Sequence, residues 1–485
     1  MSALRHAAPF GVPTNSVRGA GSMRDVGTSR LTSFTPTRDE STAAGLAARD
    51  RAPLFRHADV DAERPRDPVA LLRSQEATRV PELVPVRHER MLESPFTFFR
   101  GTALVMADDL AAGSHSGLIT QLCGDAHLAN FGAYGSPERR LVFDLNDFDE
   151  TLPGPFEWDV KRLAASMAVA SRDNGHDDSE ARETAVATVR AYQVAMEQFA
   201  AQPMLSVWYA RIDAEEQLRL LADASRKKVA KALTKSVKTA RKRTALHALS
   251  KLTEDVDGHP RFVPDPPLLV PAEQVDTLQD IDNLYDWMRG LVANYTESLA
   301  PERRLLIERY TLTHAARKVV GVGSVGMRAW VLLMEAHDGL EPLLLQAKEA
   351  TSSVLAGYVG ESEYDNQGER VVHGQRIMQA ASDVLLGWQR TAREGEHVDY
   401  YVRQLRDWKY SVETAGFDSA ALANYGRLCA WTLARAHARA GDRIAISAYL
   451  GDSLDFAEAI GDFAIAYADL TVADHAAFRE AVSAG

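Results

Sequence analysis

The chain has 485 residues, of which 46% are hydrophobic, enough to bury a large core and to form two or three domains or lobes. A formal net charge of -12 excludes a protein whose whole surface binds nucleic acid, although a local basic patch can still form. Its two cysteines, Cys123 and Cys429, are too few for a disulfide framework and are typical of a reducing cytoplasm, where we expect this protein.

The first part of the chain predicts a disordered leader followed by helices. Residues 1–55 are rich in small and polar residues without apolar periodicity, so ordering them would bury little surface. From about 60 to 115 the pattern is helical and includes a helix over 96–112. No apolar run approaches the roughly 18 residues that span a bilayer, so we expect no membrane insertion.

Two short strands are predicted next, at LITQL (118–122) and within RRLVFDLND (139–147). They flank the polar stretch CGDAHLANFG (123–132), whose side chains should therefore lie at strand ends and on a loop. The region 157–252 returns to a helical pattern and ends in the basic stretch 226–243. Lysines recur there on one helical face, which is either a solvated face or a docking surface for an acidic partner.

The second half of the chain predicts a β-meander. Three apolar runs lie within 317–350, and the last two are separated by the turn residues HDG. Aromatic and β-branched residues alternate with polar ones over 397–409, which predicts another strand. Helices close the chain, one of them over 425–442.

Glycines at 321, 323 and 326 spell G-x-G-x-x-G between the first two strands of this meander. A dinucleotide-binding fold would need a helix after the motif, but a strand follows it. A glycine-rich loop between antiparallel strands instead lets backbone N–H groups approach nucleotide phosphates, as in kinases. We therefore assign Gly321, Gly323, Ser324 and Gly326 to nucleotide binding. Lys348 on the third strand matches the position of the kinase lysine.

The acids of the first half suit the other part of such a site. Asp125 and Asn130 have the spacing of a kinase catalytic loop, in which the Asp orients the substrate hydroxyl and the Asn holds magnesium. Asp147 follows a strand and is the preferred second magnesium ligand, with Asp144 and Asp149 as rivals. Each acid taken singly could instead be a helix cap or a turn former.

Two segments carry a family resemblance. GDAHLANFG (124–132) resembles the H-G-D-x-H-x-x-N loop of aminoglycoside and choline kinase-like phosphotransferases, with Cys123 where their first His stands. NDFDETLPGPFEWDVKRLA (146–164) resembles the I-D-F-D-D-A…G-P…Y-D-L-A segment of the same families. The chain departs from the family pattern at this position, where the first His usually braces the loop.

The resemblance implies roles for individual residues. Asp125 would be the catalytic Asp, and His127 would support it. Asn130 and Asp147 would be magnesium ligands, and Asp159 would be the buried Asp that braces the catalytic loop.

A broader likeness covers about 60–480. The stretches SPFTFFRG, QLCGDAHLANFG, FDLNDFDE and GPFEWDVKRLAAS are similar to the uncharacterised bacterial family called domain of unknown function 2252. That name supplies no reaction.

The order of the motifs differs from that of kinases, because the glycine loop comes about 200 residues after the catalytic loop. We therefore expect an α+β, circularly permuted, protein-kinase-like two-lobed fold with extra helices, since an active site depends on spatial arrangement. Its predicted parts are a mainly helical catalytic lobe (56–300), a β-rich nucleotide-binding lobe (301–410) and C-terminal helices packed on the catalytic lobe (411–485). Either 96–112 or 425–440 would be the helix that precedes the catalytic loop in space.

Two assignments concern charged residues. Lys348 needs an acidic partner, and among Glu361, Glu363 and Glu369 we favour Glu369. Arg100 in FFRG would bind a phosphate or a substrate carboxylate, unless it only extends from a helix into solvent.

The motifs together predict an ATP- and Mg-dependent phosphotransferase acting on a hydroxyl of a small molecule or protein. Nucleotide and a hydroxyl-bearing acceptor are the expected partners, whereas nucleic acid and membrane are not. Three alternatives stay open: transfer of AMP on the same fold, nucleotide binding without catalysis, and metal-dependent hydrolysis at the acids of 144–150.

Overall fold

The computed structural model describes residues 36–61, 64–214, 245–275, 278, 284–319, 321, 323, 325–340, 342–393, 396–405, 408 and 410–484. Three predictions fall outside the described residues: most of the disordered leader, the basic stretch 226–243 and the role of Ser324.

Sixteen helices are labelled in the described part of the chain, and most lie in its first and last thirds. They are α1 (Arg38–Arg51), α2 (Pro68–Glu76), α3 (Val84–Leu92), α4 (Pro95–Phe99), α5 (Ala103–Ala111), α6 (Phe156–Asp173), α7 (Asp178–Ala201), α8 (Met204–Tyr209), α9 (Ala245–Leu252), α10 (Leu284–Thr296), α11 (Pro301–Ile307), α12 (Ala356–Val359), α13 (Gln367–Met378), α14 (Ser419–Ala440), α15 (Arg443–Leu450) and α16 (Asp455–Ser483).

The strands of the described residues form two larger sheets and two pairs. They are β1 (Ile119–Leu122), β2 (Phe131–Gly135), β3 (Leu141–Leu145), β4 (Leu152–Pro155), β5 (Ile212–Asp213), β6 (Thr253–Val256), β7 (His259–Phe262), β8 (Leu269–Pro271), β9 (Tyr310–Lys318), β10 (Ala329–Ala336), β11 (Pro342–Ala350), β12 (Gly387–Arg393), β13 (Glu396–Gln404) and β14 (Tyr410–Ser411).

A six-stranded antiparallel sheet has the order β12-β13-β11-β10-β9-β8. Its strands β9, β10 and β11 are the three runs of the predicted meander, and β13 is the strand predicted over 397–409. Lys348 lies opposite Ala329 of β10 and opposite Tyr401 of β13, so it is central in the sheet. Helix α13 comes between β11 and β12 in the chain and packs against β11, β12 and β13.

A second, four-stranded antiparallel sheet has the order β14-β2-β3-β5, and β1 pairs with β4 beside it. The predicted strands at 118–122 and 139–147 are thus present as β1 and β3. All five residues of β3 are buried, because helices cover the sheet. The loop between β1 and β2 carries Asp125, and the loop between β3 and β4 carries Asp147 and Asp149, whereas Asp144 lies within β3.

The largest apolar core lies among α6, α7, α14 and α16, where α6 and α7 contact each other and both of the other helices. Nearly every residue of α6 is buried, which suits a helix surrounded by others. Arg435 of α14 and Asp144 of β3 form an ion pair that is almost fully buried, and Arg435 also donates to the Met378 carbonyl (2.6 Å). The C-terminal helices are thereby tied to the sheet that bears the acids.

Three boundaries differ from the predictions. Residues 38–51 of the predicted leader form α1, which a capping box of Thr37 and Glu40 begins and which packs against α15. The helix predicted over 96–112 is split into α4 and α5, because Thr102 adopts a non-helical conformation. The β-rich part begins before 301, since β8 already belongs to the six-stranded sheet. Of these three differences, the pairing of β8 with β9 is long-range, so local pattern does not report it.

Candidate functional site

The loop between β1 and β2 is held by a carboxylate from the first turn of α6. Asp159 accepts hydrogen bonds from the backbone N–H groups of Cys123 (2.7 Å) and Gly124 (3.0 Å). His437 of α14 lies with Nε2 3.2 Å from the same carboxylate. Gly124 has φ of +83°, and an added Cβ would collide with the Glu150 carbonyl, so the turn requires glycine. The loop is therefore fixed between α6 and α14.

Asn130 joins the two acid-bearing loops. Its Nδ2 donates to the carbonyls of Asp125 (3.1 Å) and Asp147 (2.9 Å), and its Oδ1 accepts from the Asp147 N–H (2.7 Å). The Cys123 thiol, whose pKa is raised by burial, donates to the Asp147 carbonyl (3.3 Å). The cysteine that stands at the place of the first His therefore still links the two loops.

Asp125 directs one carboxylate oxygen to a buried arginine. Arg162 of α6 donates from Nε (2.9 Å) and Nη2 (2.8 Å) to Oδ1 and is itself only 3% exposed. The other oxygen, Oδ2, lies 3.6 Å from His127 Nε2, and the Asp125 side chain is 23% exposed. Burial lowers the pKa of His127 to about 4, so its imidazole is neutral at pH 7. Asp125 is thus oriented and keeps one oxygen accessible.

Lys348 connects the six-stranded sheet to the loop after β3. Its ammonium, 2% exposed, forms an ion pair with Asp149 and lies 3.5 Å from Asp147 Oδ2. The Tyr401 hydroxyl donates to the other oxygen of Asp149 (2.8 Å). Burial alone would lower the pKa of Lys348, but the two carboxylates raise it. The lysine is therefore charged, and segments about 200 residues apart meet at this pair.

Glu369 does not pair with Lys348, contrary to the assignment from sequence. Its carboxylate lies 3.7 Å from His373 Nε2 on the same helix, and among the described residues the acids that pair with Lys348 come from the loop after β3. The next residue, Arg370, faces that loop instead and donates to the Asp149 carbonyl (2.8 Å). Adjacent helical residues point about 100° apart, so the helix turns one of them toward the site and the other away.

The glycine loop joins β9 and β10 above this pair. Gly321 and Gly326 have φ of +68° and +92°, a conformation that glycine adopts without strain. Gly321 and Gly323 line the same cavity as Lys348, whereas Gly326 is not part of its described lining.

An N-terminal segment packs against the glycine loop. The Val80 N–H donates to the Gly326 carbonyl (2.8 Å), and the guanidinium groups of Arg79 and Arg90 donate to other carbonyls of the loop. Sequence patterns could not reveal these contacts, because they join residues more than 200 positions apart.

One cavity of about 1330 Å³ brings most of the assigned residues together. Its wall contains residues from the two acid-bearing loops, the glycine loop, β11 and the segment after α4. The assigned residues that line it are Arg100, Asp125, His127, Asn130, Asp147, Asp149, Gly321, Gly323 and Lys348.

The donor atoms at this cavity suit a hard cation. In the described part of the chain, no group of three or more His, Cys, Asp or Glu side chains is arranged to hold a metal. Asp147, Asp149 and Asn130 nevertheless lie at one wall of the cavity, and carboxylate and amide oxygens are the ligands that Mg²⁺ prefers. In this arrangement Asn130 Oδ1 accepts from the Asp147 N–H, and the two Asp149 oxygens are engaged by Lys348 and Tyr401. The residue types present are therefore compatible with magnesium.

Sequence reasoning missed several residues that hold the site. Arg162 follows Asp159 by three positions, so both lie on one face of α6, and this spacing is a signal that could have identified Arg162. Tyr401 and Arg403 come from β13, and Arg403 donates to the Asn146 carbonyl (3.0 Å). No local signal marks them, because only the pairing of β13 with β11 brings them here.

The buried carboxyl group of Glu150 should make the stability of the protein depend on pH. Burial raises its pKa to about 7, and its carboxylate accepts from the Val354 N–H (2.8 Å). Between the ordinary Glu pKa of 4.5 and the raised pKa of about 7, the folded protein keeps a proton on Glu150 that the unfolded chain releases. Protonated Glu150 therefore stabilises the fold at low pH, and this contribution is lost as pH rises through about 7. The free energy of unfolding of wild type should therefore fall, relative to that of Glu150→Gln, by about 1–3 kcal/mol between pH 5 and pH 8.

Urea unfolding of both proteins at the two pH values measures this difference. An unchanged difference between wild type and Glu150→Gln would contradict the prediction.

The comparisons with known proteins concern most of the chain. A family model described as uncharacterized protein conserved in bacteria, DUF2252, matches residues 79–481. No curated protein and no solved structure matches the chain. Within the described ranges, none of the helices is long and apolar enough to cross a membrane. Because the match covers well over half of the sequence, the chain belongs to the DUF2252 family of proteins conserved in bacteria.

Proposed function

We propose that this protein is an ATP- and Mg-dependent phosphotransferase acting on a hydroxyl of a small molecule or protein. The observation that carries the proposal is the meeting of Lys348 with Asp147 and Asp149 at one wall of the cavity, with Asp125 and Asn130 lining it too. A lysine for phosphates, oxygen ligands for magnesium and an oriented carboxylate for the acceptor are the parts that phosphoryl transfer requires.

The order of elements in the six-stranded sheet supports a kinase-like nucleotide lobe. A glycine loop joins β9 to β10, β11 carries Lys348, and α13 follows β11. Protein kinases place their glycine loop, their lysine and the helix that bears its acidic partner in this order. In this protein Asp149 takes the place of that acidic partner.

The position of α14 supports the circular permutation. Its last turn lies beside the start of β1, where the Thr120 hydroxyl donates to the His437 carbonyl (3.3 Å). Gly441, just after α14, is close enough that an added Cβ would contact Thr120. Joining the end of α14 to β1 would put the glycine loop before the catalytic loop. We therefore favour α14, which covers the predicted 425–440, as the helix that precedes the catalytic loop in space.

The side chains would share the chemistry as follows. Lys348 would contact phosphate oxygens, and backbone N–H groups of the glycine loop would cover them. Asp125 Oδ2 would orient the acceptor hydroxyl and take its proton. At the same time the acceptor's oxygen would bond to the γ-phosphorus of ATP, and the bond from that phosphorus to ADP would break. Arg162 would hold Asp125 in place through Oδ1. Asn130, Asp147 and Asp149 would hold magnesium, which when bound neutralises the phosphate charge.

Two buried free thiols, Cys123 and Cys429, are compatible with a reducing compartment, so we also propose a cytoplasmic location.

Thermal unfolding with ATP, with and without Mg²⁺, tests the proposal. A ligand that binds only the folded state at 100 times its Kd adds about 2.7 kcal/mol of stability, so wild type should unfold at a higher temperature with Mg-ATP. Lys348→Met and Asp147→Asn should lose most of this shift. Lys251→Met replaces an exposed lysine outside the cavity and should keep it.

A folded wild type that shows no shift with Mg-ATP would contradict the proposal. If Mg-ATP raised the unfolding temperature of Lys348→Met as much as that of wild type, Lys348 would have no role in nucleotide binding. Mass analysis of a modified acceptor then separates gain of phosphate from gain of AMP.

A further inference from the structure

Arg100 presents a positive charge to the cavity that no described residue pairs with. Its Nε is buried and makes no hydrogen bond, and none of the described residues forms a side-chain hydrogen bond or an ion pair with its guanidinium. Burial lowers the pKa of Arg100, and the nearby carboxylate of Asp125 opposes that effect. Partly buried charges are normally paired, so an arginine left unmatched at a cavity wall calls for a ligand.

The backbone places Arg100 beside the catalytic loop. Arg162 donates to the Phe99 carbonyl (2.7 Å) and to the Asp125 carboxylate (2.8 Å), so one guanidinium joins the residue before Arg100 to Asp125. Arg162 also stacks over the Phe99 ring, 3.9 Å from its centroid. The Arg100 carbonyl lies next to the tip of the glycine loop at Gly323. Arg100 therefore lies at the point where an acceptor would enter between the loop and Asp125.

Two other cationic groups near Asp125 and Asp149 already have carboxylate partners. Arg162 is engaged by Asp125, and Lys348 is engaged by Asp149 at the wall where the nucleotide phosphates would lie. His127 is influenced by the opposite charges of Asp125 and Arg100, and burial keeps its imidazole neutral at pH 7. Its buried Nδ1 has no hydrogen-bond partner among the described residues. This part of the cavity is thus lined by one acidic, one neutral and one basic side chain, those of Asp125, His127 and Arg100.

We propose that Arg100 binds a carboxylate or phosphate group on the acceptor, so that the acceptor is an anion whose reacting hydroxyl lies close to that group. A guanidinium binds both anions through paired N–H donors, and holding the acceptor at two points aligns its hydroxyl with Asp125. This inference rests on the proposed function, because it names the substrate class of the same site.

Calorimetric titration of inorganic phosphate tests the inference. Phosphate is added to wild type saturated with Mg²⁺ and a non-hydrolysable ATP analogue, so that the nucleotide site is filled and only a second anion site remains. We expect one phosphate to bind, and Arg100→Gln to weaken that binding at least about tenfold. Arg100→Lys should retain part of it. Arg427→Gln, which changes an exposed arginine of α14, should bind like wild type.

Each other outcome has a distinct meaning. No phosphate binding to the loaded wild type, or equal binding to Arg100→Gln, would overturn the inference. Phosphate binding that depends on Arg100 but disappears when the analogue is added would assign Arg100 to the nucleotide phosphates, and would also overturn it. If the analogue does not bind wild type but phosphate binding still depends on Arg100, the proposed function fails while the anion site stands. Urea unfolding of each variant confirms that it is folded.

Discussion

Asp125→Asn should bind Mg-ATP like wild type and transfer phosphate about 10²- to 10⁴-fold more slowly. The amide can still accept from Arg162 through one oxygen, so the loop should keep its position. It cannot take a proton from the acceptor hydroxyl, however, because it has no second carboxylate oxygen. Transfer of labelled γ-phosphate from ATP to the small-molecule and protein fractions of a cell extract measures the loss.

Asp286→Asn is the matched control for this experiment, because Asp286 is an exposed acid whose ion pair with Arg289 lies on the surface. It should transfer phosphate like wild type. Full transfer by Asp125→Asn would remove Asp125 from the chemistry, and loss of Mg-ATP binding in that variant would show that its role lies in binding.

Arg435→Met should lower the free energy of unfolding by about 3–5 kcal/mol, because it leaves the Asp144 carboxylate buried without its countercharge. Arg435 is 1% exposed and Asp144 is fully buried. The variant also removes the donor to the Met378 carbonyl, which joins the end of α13 to α14. Equilibrium unfolding in urea measures the change through the shift of the midpoint.

Arg427→Met lies on the same helix but is exposed, so its effect should stay within about 0.5 kcal/mol. The double variant Asp144→Asn with Arg435→Met should recover part of the loss, because the buried charge is then gone. A loss below about 1 kcal/mol in Arg435→Met alone would contradict a structural role for the ion pair.

Where motif spacing suggested a role, local patterns assigned residues that the structure brings to one cavity. Asp125 and Asn130 lie five positions apart on one loop, and the strands on either side set the direction of both. Lys348 could be assigned because short apolar runs separated by turn residues predict strands, and because two such strands precede it. The structure places all three residues at one cavity.

The partner of Lys348 shows where such reasoning ends. Glu369 is close along the chain and on the helix that follows β11, but the rotation of α13 turns Arg370 toward the site in its place. Asp149 pairs with the lysine although it lies 199 residues away. Whether two distant side chains meet depends on how sheets and helices pack, and packing is a property of the whole chain.

Element types, the two acid-bearing loops, the glycine loop and the family could be read from the sequence, because periodicity, turn residues and motif spacing are local. Long-range packing brings these segments to one cavity, holds Asp125 against Arg162 and leaves Arg100 without a side-chain partner among the described residues. These contacts join charged groups and strands that lie far apart in the sequence. Burial in the folded chain decides which of them pair, and neighbouring residues do not.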